Sequence, residues 1–311
     1  MFRQSSLFLS LSISFSLFFI FFSLLFPELS DRIAPWIVVA SVFLIGIPHG
    51  AIDHIVSSEL FGTGRNIQGH LLFYGSYLII MLLLGLVWIF IPIIGMIIFL
   101  AISIYHFGQA DMEDFLITKQ KQPIWYILRG TFIIGLIVFS SADVTYPIIS
   151  SAMNISVDLF YSIMPPAFLA VMFILLVYIT FTFFSVIKKD ISSIKVFTLE
   201  SIVLTLLFLI SGPLIGFALY FAIWHSSGHI VELQQFFESK GRTLSLLQFY
   251  KLAIPFTLVS IAGLIFLLYI QNIFQVEEQF LTLMFILISV LTLPHMLIVD
   301  RMYSEKSRSK I

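Results

Sequence analysis

Ten apolar runs, each close to the length that crosses a bilayer, constrain this chain more than any other feature of its sequence. A membrane-spanning helix needs about 20 predominantly apolar residues. The runs lie near 5–27, 33–57, 70–90, 94–115, 124–142, 165–187, 196–211, 214–237, 250–271 and 280–301. With 59% hydrophobic and 11% charged residues, the chain is far more apolar than a soluble domain. The sequence therefore predicts an all-α, polytopic transmembrane helix bundle of about ten spans.

The distribution of Lys and Arg predicts which ends of these spans face the cytoplasm, because basic residues accumulate in cytoplasmic loops. If the N-terminus is inside, 15 of the 16 basic residues fall on the cytoplasmic side. Arg129 is counted among those 15, and only Arg32 lies outside. Both termini are therefore predicted to be cytoplasmic.

The same runs predict one integral-membrane domain over residues 1–311, with an additional first span at 5–27 before a catalytic bundle at about 33–301. A secretory signal peptide is an alternative for the first run. The run is longer than a typical signal-peptide core, however, and the PELSDR that follows lacks a small-x-small cleavage site. The interpretation as a span is therefore preferred.

Two whole classes of site are excluded by composition. The chain contains no cysteine, so thiolate metal sites, disulfides and cysteine nucleophiles are ruled out. A net charge of −1 provides no basic surface of the kind that binds nucleic acid. Any metal ion must be held by His, Asp or Glu.

Six of the seven histidines lie well inside the apolar runs, where an ionisable side chain is costly and usually functional, and the seventh, His70, starts its run at the water interface. His49, His106, His225, His229 and His295 all fall in even-numbered runs. At 1.5 Å per residue they lie between about 17 and 24 Å from the outer ends of those runs. This shared depth predicts a common layer, although depth alone does not bring side chains together laterally.

The stretch WHSSGH at 224–229 adds a geometric argument. It places His225 and His229 four residues apart, on one face of a helix and about one turn from each other. With His49 and His106 at similar depth, the pattern indicates a metal held by several imidazoles. Nitrogen donors without thiolate suit Fe, Cu, Zn or Ni, and hydrogen-bonded packing histidines are the alternative.

Three further residues are predicted to support the metal ligands. Asp53 follows His49 by one helical turn, and ligating imidazoles usually donate their second N–H to a carboxylate or a carbonyl. His54 lies near the cytoplasmic end of its run and is a candidate for the same supporting role. His295 is a candidate for either a supporting or a structural role.

Other residues near the histidines have simpler interpretations. Asp111 and Asp300 follow histidines by five residues at the cytoplasmic ends of their runs. Both are expected to be solvated. Gly50, Gly108 and Gly228 are expected to let helices approach closely.

Four sequence blocks resemble the ordered signature blocks of the Brp/Blh family, the integral-membrane beta-carotene 15,15'-dioxygenases of bacteria and archaea. The blocks are PHGAIDH at 48–54, YHFGQAD at 105–111, WHSSGH at 224–229 and LPHMLIVDR at 293–301. They extend over most of the chain. Family members often have a basic residue where this chain has Gly228, and the first span resembles an addition to the shortest members.

The resemblance implies a function and a set of ligands. The function is oxidative cleavage of the central 15,15' double bond of beta-carotene by O₂, giving two molecules of all-trans-retinal. The family's Fe(2+) ligands correspond to His49, His106, His225 and His229. The resemblance also implies a multi-pass protein of the inner (plasma) membrane, with the lipid bilayer as its surroundings and a microbial rhodopsin as a downstream user of retinal.

Two rival functions belong to other classes. A transporter or proton relay would also use intramembrane His and Asp, and it would be expected to show repeats or broken helices around the site. A di-iron membrane desaturase or hydroxylase resembles this composition too. Members of that class, however, use about eight histidines in several clusters. The transporter would act without metal, and the desaturase would bind two irons per chain.

Overall fold

The computed structural model describes residues 6–62, 64, 66–113, 115–117, 122–269 and 280–308. These residues are mostly α-helical, and no strand is present among them beyond an isolated bridge between Leu116 and Ile191. The helices are α1 (Ser6–Leu25), α2 (Pro27–Ser41), α3 (Ile47–Gly50), α4 (Asp53–Phe61), α5 (Ile67–Phe90), α6 (Pro92–Met112), α7 (Gln122–Phe139), α8 (Ala142–Ala152), α9 (Val157–Ile163), α10 (Ala167–Lys188), α11 (Ile194–Ile210), α12 (Gly212–Leu219), α13 (Ser227–Ser239), α14 (Leu246–Tyr269) and α15 (Phe280–Arg308). Two π-helical segments, Val42–Gly46 and Tyr220–Ser226, lie between α2 and α3 and between α12 and α13.

Nine helical stretches in the described part of the chain are long and apolar enough to cross a bilayer. They are Leu7–Leu25, Pro27–Phe61, Ile67–Phe90, Pro92–Met112, Gln122–Phe139, Ala167–Lys188, Gly212–Ser239, Leu246–Phe266 and Phe280–Glu305. The predicted run at 196–211 corresponds to α11, whose 17 residues make it the shortest of the expected spans. The prediction of an all-α polytopic bundle is confirmed, and the orientation of the termini stays a prediction.

Helices follow one another closely where the sequence leaves gaps between apolar runs. Helix α1 ends at Leu25 and α2 begins at Pro27, so the interval between the first two apolar runs is helical. Proline is tolerated there because the first turn of a helix needs no backbone N–H donor. The same arrangement starts α6 at Pro92. The interval between the last two apolar runs lies outside the described residues.

The helices group into two compact units. The first contains Met1–Ile45, Ser103–Ser150 and Ser156–Val231. Within it α1 packs on α11, α2 packs on α12, and α7 contacts α10, α11 and α12. The stretch Gly212–Ser239 is the most enclosed of the nine, with 78% of its most apolar window buried, so it is a core element rather than a lipid-facing one.

Helices α6 and α7 cross with their backbones in direct contact. A Cβ atom placed on Gly108 would lie 1.7 Å from the carbonyl oxygen of Tyr126, and one placed on Gly130 would lie 1.7 Å from that of Ile104. Both distances are far inside van der Waals contact. Only glycine fits at these two positions, which confirms the prediction of close helix approach at Gly108.

The second unit contains Gly46–Ile102, Ser151–Ile155 and Glu232–Ile311. Within it α15 packs on α4, α5 and α14, and α14 also contacts α3. The indole N–H of Trp88 donates to the Ser289 hydroxyl at 3.0 Å, which links α5 to α15. The division into two compact units does not test the prediction of one integral-membrane domain over residues 1–311, which stays a prediction.

Candidate metal centre

Two of the predicted ligands meet in the first unit. His106 lies on α6 and His225 in the π-helical segment that follows α12. Their ring centroids are 4.9 Å apart at an interplanar angle of 78°, and each ring offers a nitrogen within 4.8 Å of the other. The exposed fractions are 2% for His106 and 1% for His225. Two buried imidazoles from separate helices therefore converge.

The π-helical segment that carries His225 is a local departure from α geometry. The hydroxyl of Ser227 donates to the carbonyl of Ala222 at 2.8 Å, across a five-residue interval. Such π turns are uncommon and occur often at functional sites. The backbone hydrogen-bond register that makes them is not visible in the hydropathy pattern, so the sequence did not predict this segment.

Three aromatic rings lie close to the His225 imidazole. Phe107 lies 4.6 Å from it by ring centroids, and Phe221 lies 6.0 Å away in a nearly parallel orientation. Tyr220 stacks on the same ring at 6.4 Å. The histidine pair thus lies in a mostly apolar environment, which limits access of water and strengthens electrostatic interactions.

His229, the other predicted ligand in this unit, lies on α13 and is buried, with 2% exposure. Among the described residues, the nitrogens that gather within 4.8 Å of one another include those of His106 and His225 but not that of His229. The structure therefore brings together two of the three predicted ligands of this unit. The role of His229 stays a prediction.

His49 lies in the second unit, on the single-turn helix α3, and is also buried. Its Nδ1 is hydrogen-bonded to the carbonyl oxygen of Gly46. Because a carbonyl only accepts, Nδ1 carries the proton and the lone pair of Nε2 is the one suited to a metal. The backbone of the π-helical segment just before α3 thus favours the Nδ1–H tautomer of His49.

A second imidazole lies against His49. The His295 ring is 4.8 Å from it by centroids and nearly perpendicular. His295 Nδ1 lies 3.0 Å from both carboxylate oxygens of Asp53, and the Tyr77 hydroxyl donates to the same carboxylate at 3.1 Å. A Cβ placed on Gly50 would lie 3.2 Å from His295 Nδ1, so glycine leaves room for this imidazole.

Asp53 therefore binds His295 rather than His49, its predicted partner. The predicted contact assumed one continuous helix, in which residues four apart lie on one face. Helix α3 ends at Gly50 and α4 begins at Asp53. The turn between them separates the two side chains and directs the carboxylate to α15.

His54, predicted as a supporting residue, packs among aromatic rings in the second unit. Its ring lies 4.5 Å from Phe256 and 6.3 Å from Tyr74 by centroids. The side chain is half-buried. This environment is that of a packing histidine, and its support of the ligands stays a prediction.

One expectation about a charged residue is wrong, and the burial of a second charged residue was not predicted. Asp111, expected to be solvated, is buried with 4% exposure, and Arg129, counted as a cytoplasmic cation, is buried with 1% exposure. The Arg129 Nε donates to Asp111 at 3.0 Å. Counts of basic residues on each side register only charge and cannot show that Arg129 lies within α7 beside its counterion.

The donor set fits a metal ion. The buried histidines His106 and His225 of the first unit and His49 of the second each offer one ring nitrogen as a potential metal ligand. The chain has no cysteine, so the donors are imidazoles without thiolate, which suit iron, copper, zinc or nickel. This donor chemistry agrees with the prediction of a metal ion as cofactor.

Comparison with known proteins finds one matching family and two similar proteins. A sequence profile described as Beta-carotene 15,15'-dioxygenase matches residues 40–303. Beta-carotene 15,15'-dioxygenase of an uncultured marine bacterium (66A03) is 28% identical over 280 residues, covering 89% of this chain and 97% of that protein. Probable beta-carotene 15,15'-dioxygenase Blh of Halobacterium salinarum is 26% identical over 299 residues, covering 87% of this chain and 84% of the relative.

No solved structure matches the chain. The profile match begins near the end of α2 and ends within α15, so it includes every predicted ligand and leaves α1 outside. A match over this much of the sequence, together with buried histidines in the expected blocks, identifies the family. The chain belongs to the beta-carotene 15,15'-dioxygenase family.

Proposed function

We propose that this protein is a membrane dioxygenase that cleaves the central 15,15' double bond of beta-carotene with O₂. The observation that carries the proposal is the buried His106–His225 pair, which converges within two of the family's sequence blocks. The reaction consumes one beta-carotene and one O₂ and yields two all-trans-retinal. The C=C bond breaks, two C=O bonds form, and both oxygen atoms are used.

The metal of this proposal is Fe(2+), held by His49, His106, His225 and His229. When bound, it supplies the activation of O₂ that amino-acid side chains cannot provide. Support comes from the burial of all four imidazoles and from the Gly46 carbonyl, which leaves His49 Nε2 suited to a metal. The four-residue spacing of His225 and His229 in the sequence supports His229 as the fourth ligand.

The polypeptide around the ligands holds the substrate and excludes water. Beta-carotene dissolves in the bilayer, so a site inside an apolar helix bundle receives it without passage through water. Phe107 and Phe221 beside His225 provide an apolar wall for a polyene. His295, fixed by Asp53 and Tyr77, packs against His49 and holds its ring in place.

The proposal includes a location and an orientation. Nine apolar helical stretches make a multi-pass membrane protein, which we place in the inner (plasma) membrane with both termini cytoplasmic. Removing buried Arg129 from the count leaves 14 basic residues on the cytoplasmic side against one outside, so the charge bias persists. The retinal product is the chromophore that a microbial rhodopsin consumes.

The direct test is production of retinal in cells. The chain is expressed in bacteria engineered to accumulate beta-carotene, beside a His225→Ala variant, and retinal is quantified by chromatography. We expect retinal with the native chain and none with the variant, because His225 is a proposed ligand. His70→Ala is the matched control, since His70 is exposed and lies against Tyr74, and it should retain activity.

Membrane amounts of all three proteins are compared by immunoblot, and iron is supplied in the medium. Absence of retinal from the native chain at normal membrane levels contradicts central cleavage of beta-carotene. Equal retinal from His225→Ala contradicts the role of the histidine. Loss of activity in His70→Ala as well would show that the assay reports general damage.

A further inference from the structure

A buried cation lies at the centre of the first unit. The Arg129 side chain is 1% exposed and donates through Nε to Asp111 at 3.0 Å, while its Nη2 lies 3.9 Å from Glu200. Its Nη1 donates to the hydroxyls of Tyr178 at 2.7 Å and Ser201 at 2.8 Å. One guanidinium thus links residues of α6, α7, α10 and α11.

Burying such a group is expensive, and it persists only where partners satisfy it. Aromatic rings add to the cage, since the guanidinium carbon lies 5.3 Å from the centroids of both Phe132 and Phe197. Because several partners fix its direction, Arg129 is a rigid anchor for whatever it binds. Asp111 is the partner closest in sequence to a proposed ligand.

The Asp111 carboxylate connects Arg129 to the histidine pair. Its Oδ2 accepts from Arg129, and its Oδ1 accepts from the Tyr220 hydroxyl at 3.1 Å. Tyr220 is the first residue of the π-helical segment, and its ring stacks on His225 at 6.4 Å and 28°. A continuous path of contacts therefore runs from the buried cation to the imidazole.

The other member of the pair is fixed by the same helices. His106 lies two residues before Gly108, where α6 meets the α7 backbone, and Arg129 lies one residue before Gly130 in the same crossing. The crossing brings Arg129 next to Asp111. The contacts that hold His106 and those that hold His225 thus share one anchor.

We propose that the Arg129–Asp111–Tyr220 chain positions the His106–His225 pair for metal binding. This inference rests on the proposed function, because it assumes that the pair binds metal. Arg129, Asp111 and Tyr220 are positioning residues, and none of them is proposed to touch metal or substrate. The Tyr220 hydroxyl is the link that can be removed while its ring stays in place.

The test compares Tyr220→Phe with the native protein, each purified and loaded with Fe(2+). Two readouts are independent of turnover: the rate of metal loss to a chelator, and the electron paramagnetic resonance spectrum of the nitrosyl adduct, which reports ligand geometry. We expect about 10-fold faster metal loss, since removal of a residue that orients a ligand costs about 10–100-fold in affinity. We also expect a changed spectral anisotropy and a lower kcat with unchanged KM.

Tyr178→Phe is the matched control. It removes an equally buried hydroxyl from the same cluster, and that hydroxyl binds Arg129 and Ser201 rather than Asp111. It should leave both metal readouts near those of the native protein. Equal changes in the two variants would mean general loosening of the helices and would overturn the inference, as would an unchanged Tyr220→Phe.

The outcomes separate this inference from the proposed function. If the native chain binds metal but makes no retinal, carotene cleavage fails, while the spectra of Tyr220→Phe still decide the positioning role. If the native chain cleaves carotene and the Tyr220→Phe spectrum is unchanged, only the positioning role fails. If the loaded native chain retains no metal, both proposals are wrong.

Discussion

The histidines of the two units are held in different ways. In the first unit, the His106–His225 pair is backed by a buried ion cluster around Arg129. In the second, His49 is backed by His295, whose partner is the Asp53 carboxylate. In the first support a guanidinium lies between two carboxylates, so loss of one member leaves an uncompensated buried charge. In the second a single carboxylate is bound by His295 and the Tyr77 hydroxyl, so its replacement by an amide leaves no charge behind.

From this contrast we expect support of the proposed ligands and fold stability to be coupled in one unit and nearly separate in the other. Damage to the Arg129 cluster should unfold the first unit before it alters the metal. Damage at Asp53 should alter the metal while the fold remains. The predictions below test this difference, beginning with the largest effect.

Arg129→Met should destabilise the protein by about 3–5 kcal/mol, because it leaves Asp111 and Glu200 buried without their cation. The measurement is the thermal midpoint in detergent. Arg242→Met is the control, since Arg242 pairs with Glu59 at the surface and should contribute less than about 1 kcal/mol. Equal midpoints for native protein and Arg129→Met would contradict the cluster's role.

Gly130→Ala should cost about 1–3 kcal/mol, because the added methyl group collides with the Ile104 carbonyl and forces α6 and α7 apart. Gly85→Ala is the control, since nothing lies within 4 Å of its added Cβ. That change should be neutral or stabilising by up to about 1 kcal/mol. A neutral Gly130→Ala in thermal unfolding would show that the crossing is looser than described.

Asp53→Asn should weaken metal binding by about 10–100-fold while leaving the thermal midpoint of the metal-free protein nearly unchanged. The reason is that the amide keeps the shape but loses the charge that orients His295. Chelator competition measures the effect, with Glu59→Gln as the control acid on the same helix. A large fall in the midpoint without change in metal affinity would reverse the contrast between the two units.

Ser16→Ala should give the smallest effect, about 1 kcal/mol. The Trp224 indole donates to the Ser16 hydroxyl at 3.1 Å, which ties α1 to the residue before His225. Removal of the hydroxyl leaves a buried N–H without its acceptor. Thermal unfolding measures the loss, and Ser12→Ala is the control because the Ser12 hydroxyl makes no hydrogen bond within the described residues.

Hydropathy predicted most of the helices, because a bilayer demands long apolar runs. The histidines were visible as ionisable residues inside those runs. The burial of Arg129 was not predicted, because a positive charge near a span end usually marks a loop. Arg129 lies in one predicted apolar run and Glu200 lies in another. Two opposite charges inside apolar runs were the available signal of a buried ion pair.

Other features depend on information that no sequence pattern carries. The π-helical segment at Tyr220–Ser226 is a change in backbone hydrogen bonding within an apolar helix. The partner of Asp53 depends on a turn after Gly50 and on α15, more than 200 residues away in the chain. Such contacts are set by tertiary packing rather than by local spacing.

The central claim is that four histidines hold one metal ion, and its most direct test is metal content. Native protein, His49→Ala and His106→Ala are loaded with iron, separated from excess metal and analysed by mass spectrometry against protein concentration. The account predicts one iron per native chain and loss of that iron in both variants. Two irons per native chain, or full retention in either variant, would contradict it.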